Sequence, residues 1–261
     1  GITKLMINEC VWTGTTLDRF YVGELLDNYM LRKSKERKQY LYSRPTKEQQ
    51  DANEKIKIIG GYVKKPLTGL YDNVRVFDFK SLYPSIIVSW NIGPDSIDVK
   101  KSYLGLIELQ KFVIGQKIED VQFDDFVAFL QKQKTEIDPT DECYQTANNC
   151  FFRKDIDSFI SGLVLELLEL RKELQKRLVS LIPGSSEYGS ARSSQAIVKE
   201  LANSMYGITG DRDSRYFDKR IAEAITVTGQ FLNKAAAKVL ETLCAKETIY
   251  KLCENCGHET K

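Results

Sequence analysis

One histidine, His258, stands in a chain of 261 residues, and that scarcity excludes more chemistry than any other feature. A Ser-His-Asp triad, a histidine-rich zinc hydrolase or a histidine general base would each depend on this single residue. Charge imbalance is also missing: 38 Lys and Arg face 36 Asp and Glu, a formal net charge of +2. Net charge therefore announces no nucleic-acid partner, and any basic groove has to come from local clustering. No apolar run approaches the roughly 20 residues that a membrane-spanning helix needs, so no membrane partner is expected. There is no cysteine framework either. The six cysteines, at 10, 143, 150, 244, 253 and 256, are scattered and read as reduced thiols of an intracellular protein. The start, Gly1-Ile2-Thr3-Lys4, has neither an initiator Met nor a signal-peptide pattern and reads as an internal boundary.

What is present is an ordinary folded composition, 42% hydrophobic and 28% charged, long enough for one large domain or two modest ones. Carboxylates and lysines are the chemical groups on offer, which favours phosphoryl or nucleotidyl transfer on bound metal. Periodicity predicts a helix over 16–38, with Thr15 or Thr16 as N-cap and Leu17, Phe20, Tyr21, Leu25 and Tyr29 on one face. Its end, Arg32 to Lys38, is basic. A solvated helix terminus favoured by the dipole ranks ahead of a DNA-backbone contact there. Residues 43–55 are polar and read as a loop. Gly60-Gly61 opens a strand-like stretch, with turns at Pro66, Gly69 and Asp72-Asn73.

Residues 74–79, Val-Arg-Val-Phe-Asp-Phe, are expected as a strand with Val74, Val76 and Asp78 on one face. A helix should start at Ser81, with Pro84 tolerated in its first turn. Residues 94–150 give no clear pattern, and the acids Glu119, Asp120, Asp124 and Asp125 read as surface before metal site. The clearest helix runs over 155–182, roughly 40 Å long, to a Pro183-Gly184 stop. A second covers 186–206 and ends at Gly207 as a C′ residue, making an antiparallel hairpin. A third helix over 218–245 leads to a short strand, 248–252. A strand bearing a lone acid, interrupted by a helical hairpin, argues α+β with a second module.

Three groups could carry chemistry, and each has a plainer explanation. Asp78, at a strand end before a tight turn, offers hard oxygen to Mg²⁺, yet such aspartates more often form turns or caps. Lys199, Asn203 and Tyr206 lie at i, i+4 and i+7 on one helical face that could hold a triphosphate and a base, or be a polar stripe. Arg171 and Lys172 on the opposing helix could converge with Lys199 on an anion, or be a solvated stripe with Glu169 and Glu173. Cys253-x-x-Cys256, with Cys244 and His258 nearby, is half a zinc pattern with irregular spacing, and a reduced, metal-free hairpin is the favoured reading.

Asp78-Phe79-Lys80-Ser81-Leu82-Tyr83-Pro84-Ser85-Ile86-Ile87 closely resembles motif A of the family B DNA polymerases, Asp-x-x-Ser-Leu-Tyr-Pro-Ser-Ile-Ile. Lys199-Glu200-Leu201-Ala202-Asn203-Ser204-Met205-Tyr206-Gly207 resembles their motif B, Lys-x-x-x-Asn-Ser-x-Tyr-Gly. Weaker likeness runs from about Leu17 to the end, through Gly60-Gly61, Pro66 to Tyr71, and Leu167 to Lys172. The resemblance implies a partial right-hand polymerase core: a segment 1–55 leading in, palm over 56–160 with an insertion, a two-helix fingers module over 161–207, and palm again over 208–261. It implies template-directed transfer of deoxynucleotides to a primer 3′ end, with two Mg²⁺ ions bound by Asp78 and the Phe79 carbonyl. Ser81, Leu82, Tyr83, Arg171, Lys199 and Asn203 would bind nucleotide, with the Tyr83 ring leaving no room for a 2′-hydroxyl. Gly60, Gly61, Tyr206 and Gly207 would approach DNA.

The partners implied are primer-template DNA and deoxynucleoside triphosphates, with a processivity factor as a further candidate. A nucleus or a viral replication site would suit such a protein. Ile58 stands where the family often has Tyr, and Gln175 where many relatives keep Lys, with Lys176 beside it. The Tyr-Gly-Asp-Thr-Asp-Ser hairpin of motif C, the exonuclease acids and a recognisable thumb are absent from the sequence. The expectation is a polymerase fragment inactive alone; the alternative is a polymerase relative that only binds nucleotide or primer-template DNA.

Overall fold

The computed structural model describes residues 10–11, 22–39, 41–64, 68–70 and 74–256, with side chains described as far as 243. The first helix, α1 (Val22–Glu36), buries Leu25, Leu26, Tyr29 and Met30; the expected caps at Thr15 and Thr16 and the residues Leu17, Phe20 and Tyr21 lie outside the described residues. Its basic tail is neither simply solvated nor free. Lys33 reaches Glu166 at 3.1 Å, Arg37 bonds the same carboxylate, and Arg32 pairs with Glu36 at 4.0 Å.

The polar stretch expected as a loop contains a helix, α2 (Lys47–Glu54), that buries nothing. Local capping accounts for it: the Gln49 amide donates to Thr46 Oγ1 at 3.4 Å and the Thr46 amide to Gln49 Oε1 at 2.9 Å, a capping box. Residues 74–79 form no regular element and join no sheet among the described residues, and Val74 and Val76 are 71% and 88% exposed. The alternating pattern is there without a partner strand, and a strand exists only in a sheet. The turns at Pro66 and Asp72-Asn73 lie outside the described residues. After the turn, α3 (Leu82–Ser89) starts where expected and buries Pro84, Ile86 and Ile87.

Four short elements fill the stretch that gave no pattern. They are α4 (Val99–Phe112), a 3₁₀ turn (Ile118–Asp120), α5 (Phe123–Ile137), and the hairpin β1 (Cys143–Gln145) and β2 (Phe151–Arg153). The two strands pair antiparallel, Tyr144 opposite Phe152, and form the sheet found among the described residues. The acids Glu119, Asp120, Asp124 and Asp125 sit on the 3₁₀ turn and the first turn of α5, where Lys238 bonds the Asp124 carboxylate. Trp90 Nε1 donates to the Gln145 carbonyl at 2.8 Å, tying the end of α3 to this insertion.

The hairpin appears as expected. Ser158 caps α6 (Phe159–Ser180), Ser185 caps α7 (Ser186–Gly210), and Gly184 turns between them with φ +90°. A link this short between two long, packed helices makes them antiparallel. The second helix does not stop at Gly207. Ile208 and Thr209 are buried, so the core face continues for another turn before Asp211. The last helix, α8 (Lys219–Cys256), is 38 residues long and replaces the strand expected at 248–252. Extending an existing helix carries no nucleation cost, whereas a strand needs an edge that the described residues do not offer there.

The main core lies where α3, α6, α7 and α8 meet, around Ile87, Leu163, Met205 and Ile225. The fold is α+β as expected, with far less sheet than a palm was expected to show. Among the described residues no helix is long and apolar enough to cross a membrane.

Candidate active site

The turn between residues 74–79 and α3 sets the site. Ser81 has φ 56° and ψ 48°, a left-handed conformation uncommon for a residue with a side chain. Its hydroxyl does not cap the helix; it accepts from Arg171 Nη1 at 2.8 Å, across 90 residues of sequence. Within α3 the amides of Leu82 and Tyr83 have no intrahelical acceptor, because the first turn of a helix has none. Arg171 Nε is buried with no hydrogen-bond partner among the described residues. A buried guanidinium donor beside free helix amides is a surface suited to an anion.

Asp78 lies just before this turn, exposed and without an ion pair among the described residues. With Phe77, Phe79 and Leu82 it borders an open groove of about 750 Å³ whose other wall is α8, from Leu232 to Leu240. No group of three or more metal-binding side chains occurs among the described residues. A lone carboxylate with an adjacent carbonyl still suits Mg²⁺, which takes one or two protein carboxylates and completes its shell with water and substrate phosphate. The zinc pattern at Cys244, Cys253, Cys256 and His258 lies outside the described side chains, while Cys10 is buried and Cys143 and Cys150 are buried free thiols.

Tyr83 projects from α3 into the angle between α7 and α8. Its ring lies 4.8 Å from that of Tyr206, tilted by 50°. Burial raises the pKa of both phenols, so they remain neutral donors across the working range. Lys199, Asn203 and Gly207 are exposed along α7 and make no side-chain bond among the described residues. The geometry thus joins Ser81 to Arg171 and Tyr83 to Tyr206, and it puts Asp78 and Leu82 on one groove. It brings Lys199 and Asn203 to the same helical face as Tyr206 without contact to the turn.

Ile59 and Gly60, next to Gly61, are fixed by a row on α8 that sequence reading missed. Glu223 accepts from the Ile59 amide at 3.0 Å, Thr226 donates to the Ile59 carbonyl at 2.6 Å, and Gln230 donates to the Gly60 carbonyl at 2.7 Å. Burial pushes the Glu223 carboxyl up, and the Ile59 amide and Lys219 at 3.6 Å only partly offset this. Gly229 on the same helix lies against the Tyr83 ring. A glycine inside a helix costs about 1 kcal/mol relative to alanine, and that was the available signal of a close approach here.

The model of DNA polymerase family B matches residues 24–259. A DNA polymerase of Thermococcus gorgonarius is 27% identical over 246 residues, covering 94% of this chain and 26% of that protein. One from Archaeoglobus fulgidus is 30% identical over 185 residues, 70% of this chain and 19% of that protein. The solved family B DNA polymerase of Pyrobaculum calidifontis superposes on all of this chain and 32% of that one, with TM-score 0.65 and 21% identity. The chain thus spans about a quarter of the length of the curated relatives it matches. By family match, sequence and fold, the chain belongs to DNA polymerase family B.

Proposed function

We propose that this chain supplies part of the catalytic core for template-directed DNA synthesis, adding deoxynucleotides to a primer 3′ end. The bond between Arg171 and Ser81 carries the reading: it joins a basic side chain of the helical hairpin to the turn that follows Asp78. On this reading 56–160 and 208–261 belong to the palm and 161–207 to the fingers. Asp78 and the Phe79 carbonyl would hold Mg²⁺, which when bound supplies charge compensation for the triphosphate and the attacking primer oxygen.

The chain's own groups do the positioning. Arg171, the Ser81 hydroxyl and the amides of Leu82 and Tyr83 bind the triphosphate, and the exposed Lys199 adds charge as the hairpin closes. Asn203 meets the incoming base and Tyr206, with Gly207, the minor-groove edge of the new pair; Gly60 and Gly61 contact the DNA. Tyr83 stands under the sugar and excludes a 2′-hydroxyl. In such a site catalysis is mainly orientation and electrostatic preorganisation. A second carboxylate would come from polypeptide outside this chain, so the isolated chain should not extend a primer.

Primer extension by the intact polymerase tests this. Template-directed, Mg²⁺-dependent incorporation is expected, with Tyr83→Ala admitting ribonucleotides. Absence of templated incorporation would contradict it, and unchanged sugar selectivity would remove the Tyr83 role.

A further inference from the structure

Tyr83 is held from three sides, one formed by α8 itself and a second by a loop that α8 holds. A Cβ on Gly229 would fall 2.9 Å from Tyr83 Cε1, 3.5 Å from Cδ1 and 3.6 Å from Ile86 Cδ1. Nothing larger than hydrogen fits there without moving the ring. A Cβ on Gly61 would lie 3.0 Å from the Tyr83 hydroxyl, so the Gly60–Gly61 backbone closes over the tip of the side chain. That backbone is held by Gln230, itself 5% exposed, through the 2.7 Å bond to the Gly60 carbonyl. Tyr206 takes the third side at 4.8 Å between ring centroids. Tyr83 is half-buried, so these neighbours do not enclose the ring completely.

We infer that Gly229 and Gln230 are positioning residues for sugar selection: Gly229 lets the Tyr83 ring recess against α8, and Gln230 holds the Gly60–Gly61 backbone against its hydroxyl. The inference rests on the proposed role of Tyr83 beneath the sugar. A methyl group at 229 pushes the ring toward its open side, where the incoming sugar sits, and narrows the space for every nucleotide. Loss of the Gln230 amide frees the backstop, so the ring can yield to a 2′-hydroxyl.

Single-nucleotide insertion by the intact polymerase, with deoxy- and ribonucleotides, tests both. Gly229→Ala should raise the KM for deoxynucleotides about tenfold with kcat within a factor of about two, an overpacking strain expressed in substrate binding. Gln230→Leu should raise the ribonucleotide kcat/KM about fivefold, as expected for one lost hydrogen bond, and leave the deoxynucleotide value within about twofold. In a Tyr83→Ala background both effects should shrink to less than about twofold, since there is no ring left to position. Effects of equal size in both backgrounds would overturn the inference and mark the two residues as merely structural.

Should Gly229→Ala fail to fold, Gln230→Leu carries the same comparison alone. If Tyr83→Ala itself leaves sugar selectivity unchanged, the proposed role of Tyr83 falls and its supports fall with it. If Tyr83→Ala alters selectivity while the α8 variants act equally in both backgrounds, only the supports fall.

Discussion

Asp138 in the insertion and Asp78 at the site are both aspartates beside a turn, and the fold treats them in opposite ways. The Asp138 side chain is fully buried and takes Lys101 at 2.7 Å, Lys134 at 2.6 Å and the Cys143 amide at 2.9 Å. Burial alone would push its carboxyl up, but these bonds outweigh it and hold the group well below the usual carboxylate range. Asp78 is exposed, with no ion pair among the described residues, and the apolar residues before it, Val74 and Val76, are uncovered. Buried polar groups that satisfy one another build structure, whereas an exposed carboxylate without a protein partner contributes little to it and stays available to a ligand. Arg171 shows the same contrast within one residue, since Nη1 is bonded to Ser81 and Nε is buried without a partner among the described residues.

The contrast can be broken from either side. Asp78→Asn should lower primer extension by the intact polymerase roughly a thousandfold. It should leave unfolding within about 0.5 kcal/mol, because the residue lies on the surface. Single-turnover extension and denaturant unfolding read the two effects separately. Asp138→Ala should do the reverse, costing about 2–3 kcal/mol by removing the buried acceptor shared by Lys101, Lys134 and the Cys143 amide, while activity per folded molecule persists.

The acid limb gives the same answer. A carboxyl whose pKa is depressed on folding contributes stability above its unfolded value and loses it as pH falls through the folded one. The insertion should therefore weaken below about pH 4. An Asp138→Asn variant, already weakened at neutral pH, should show a flatter acid dependence in circular dichroism. Arg171→Ala should raise the deoxynucleotide KM about thirtyfold through loss of a charge-assisted contact, read by steady-state kinetics. Thr46→Ala, far from either aspartate, should cost about 1 kcal/mol and fray only α2, visible as faster amide exchange there.

These effects divide along the line between what the sequence displayed and what it hid. Helix α6 was legible because its apolar residues recur at helical spacing up to the Pro183-Gly184 stop, and α3 because Pro84 suits a first turn; the Ser158 cap went unread, so α6 was expected to start at 155 and starts at Phe159. The pairing of motif A with motif B made Asp78, Tyr83, Lys199 and Asn203 candidates before any coordinate. In the insertion the apolar faces of α4 and α5, around Leu109, Phe126 and Phe129, went unread, and the bonds that join these helices to the hairpin run from side chain to backbone. Asn149 donates to the Gly105 carbonyl at 2.9 Å, and Asp138 accepts from main-chain amides. Such bonds leave no period in the sequence. The strands expected at 74–79 and 248–252 failed for one reason: β-propensity describes a residue's fit to a sheet, and no partner strand is present among the described residues. Gln230 was invisible, and Gly229 showed only as a glycine inside a helix, because their importance lies in what crosses from α3 and the Gly60–Gly61 loop.

Manganese binding by the intact polymerase, assembled with primer-template DNA and a deoxynucleoside triphosphate, tests the central claim most directly. Electron paramagnetic resonance would count bound Mn²⁺ in the wild type and in Asp78→Asn, without turnover. If Asp78 is the first metal carboxylate, the substitution removes or weakens bound Mn²⁺ while the complex still forms. Unchanged Mn²⁺ stoichiometry and affinity would contradict that assignment.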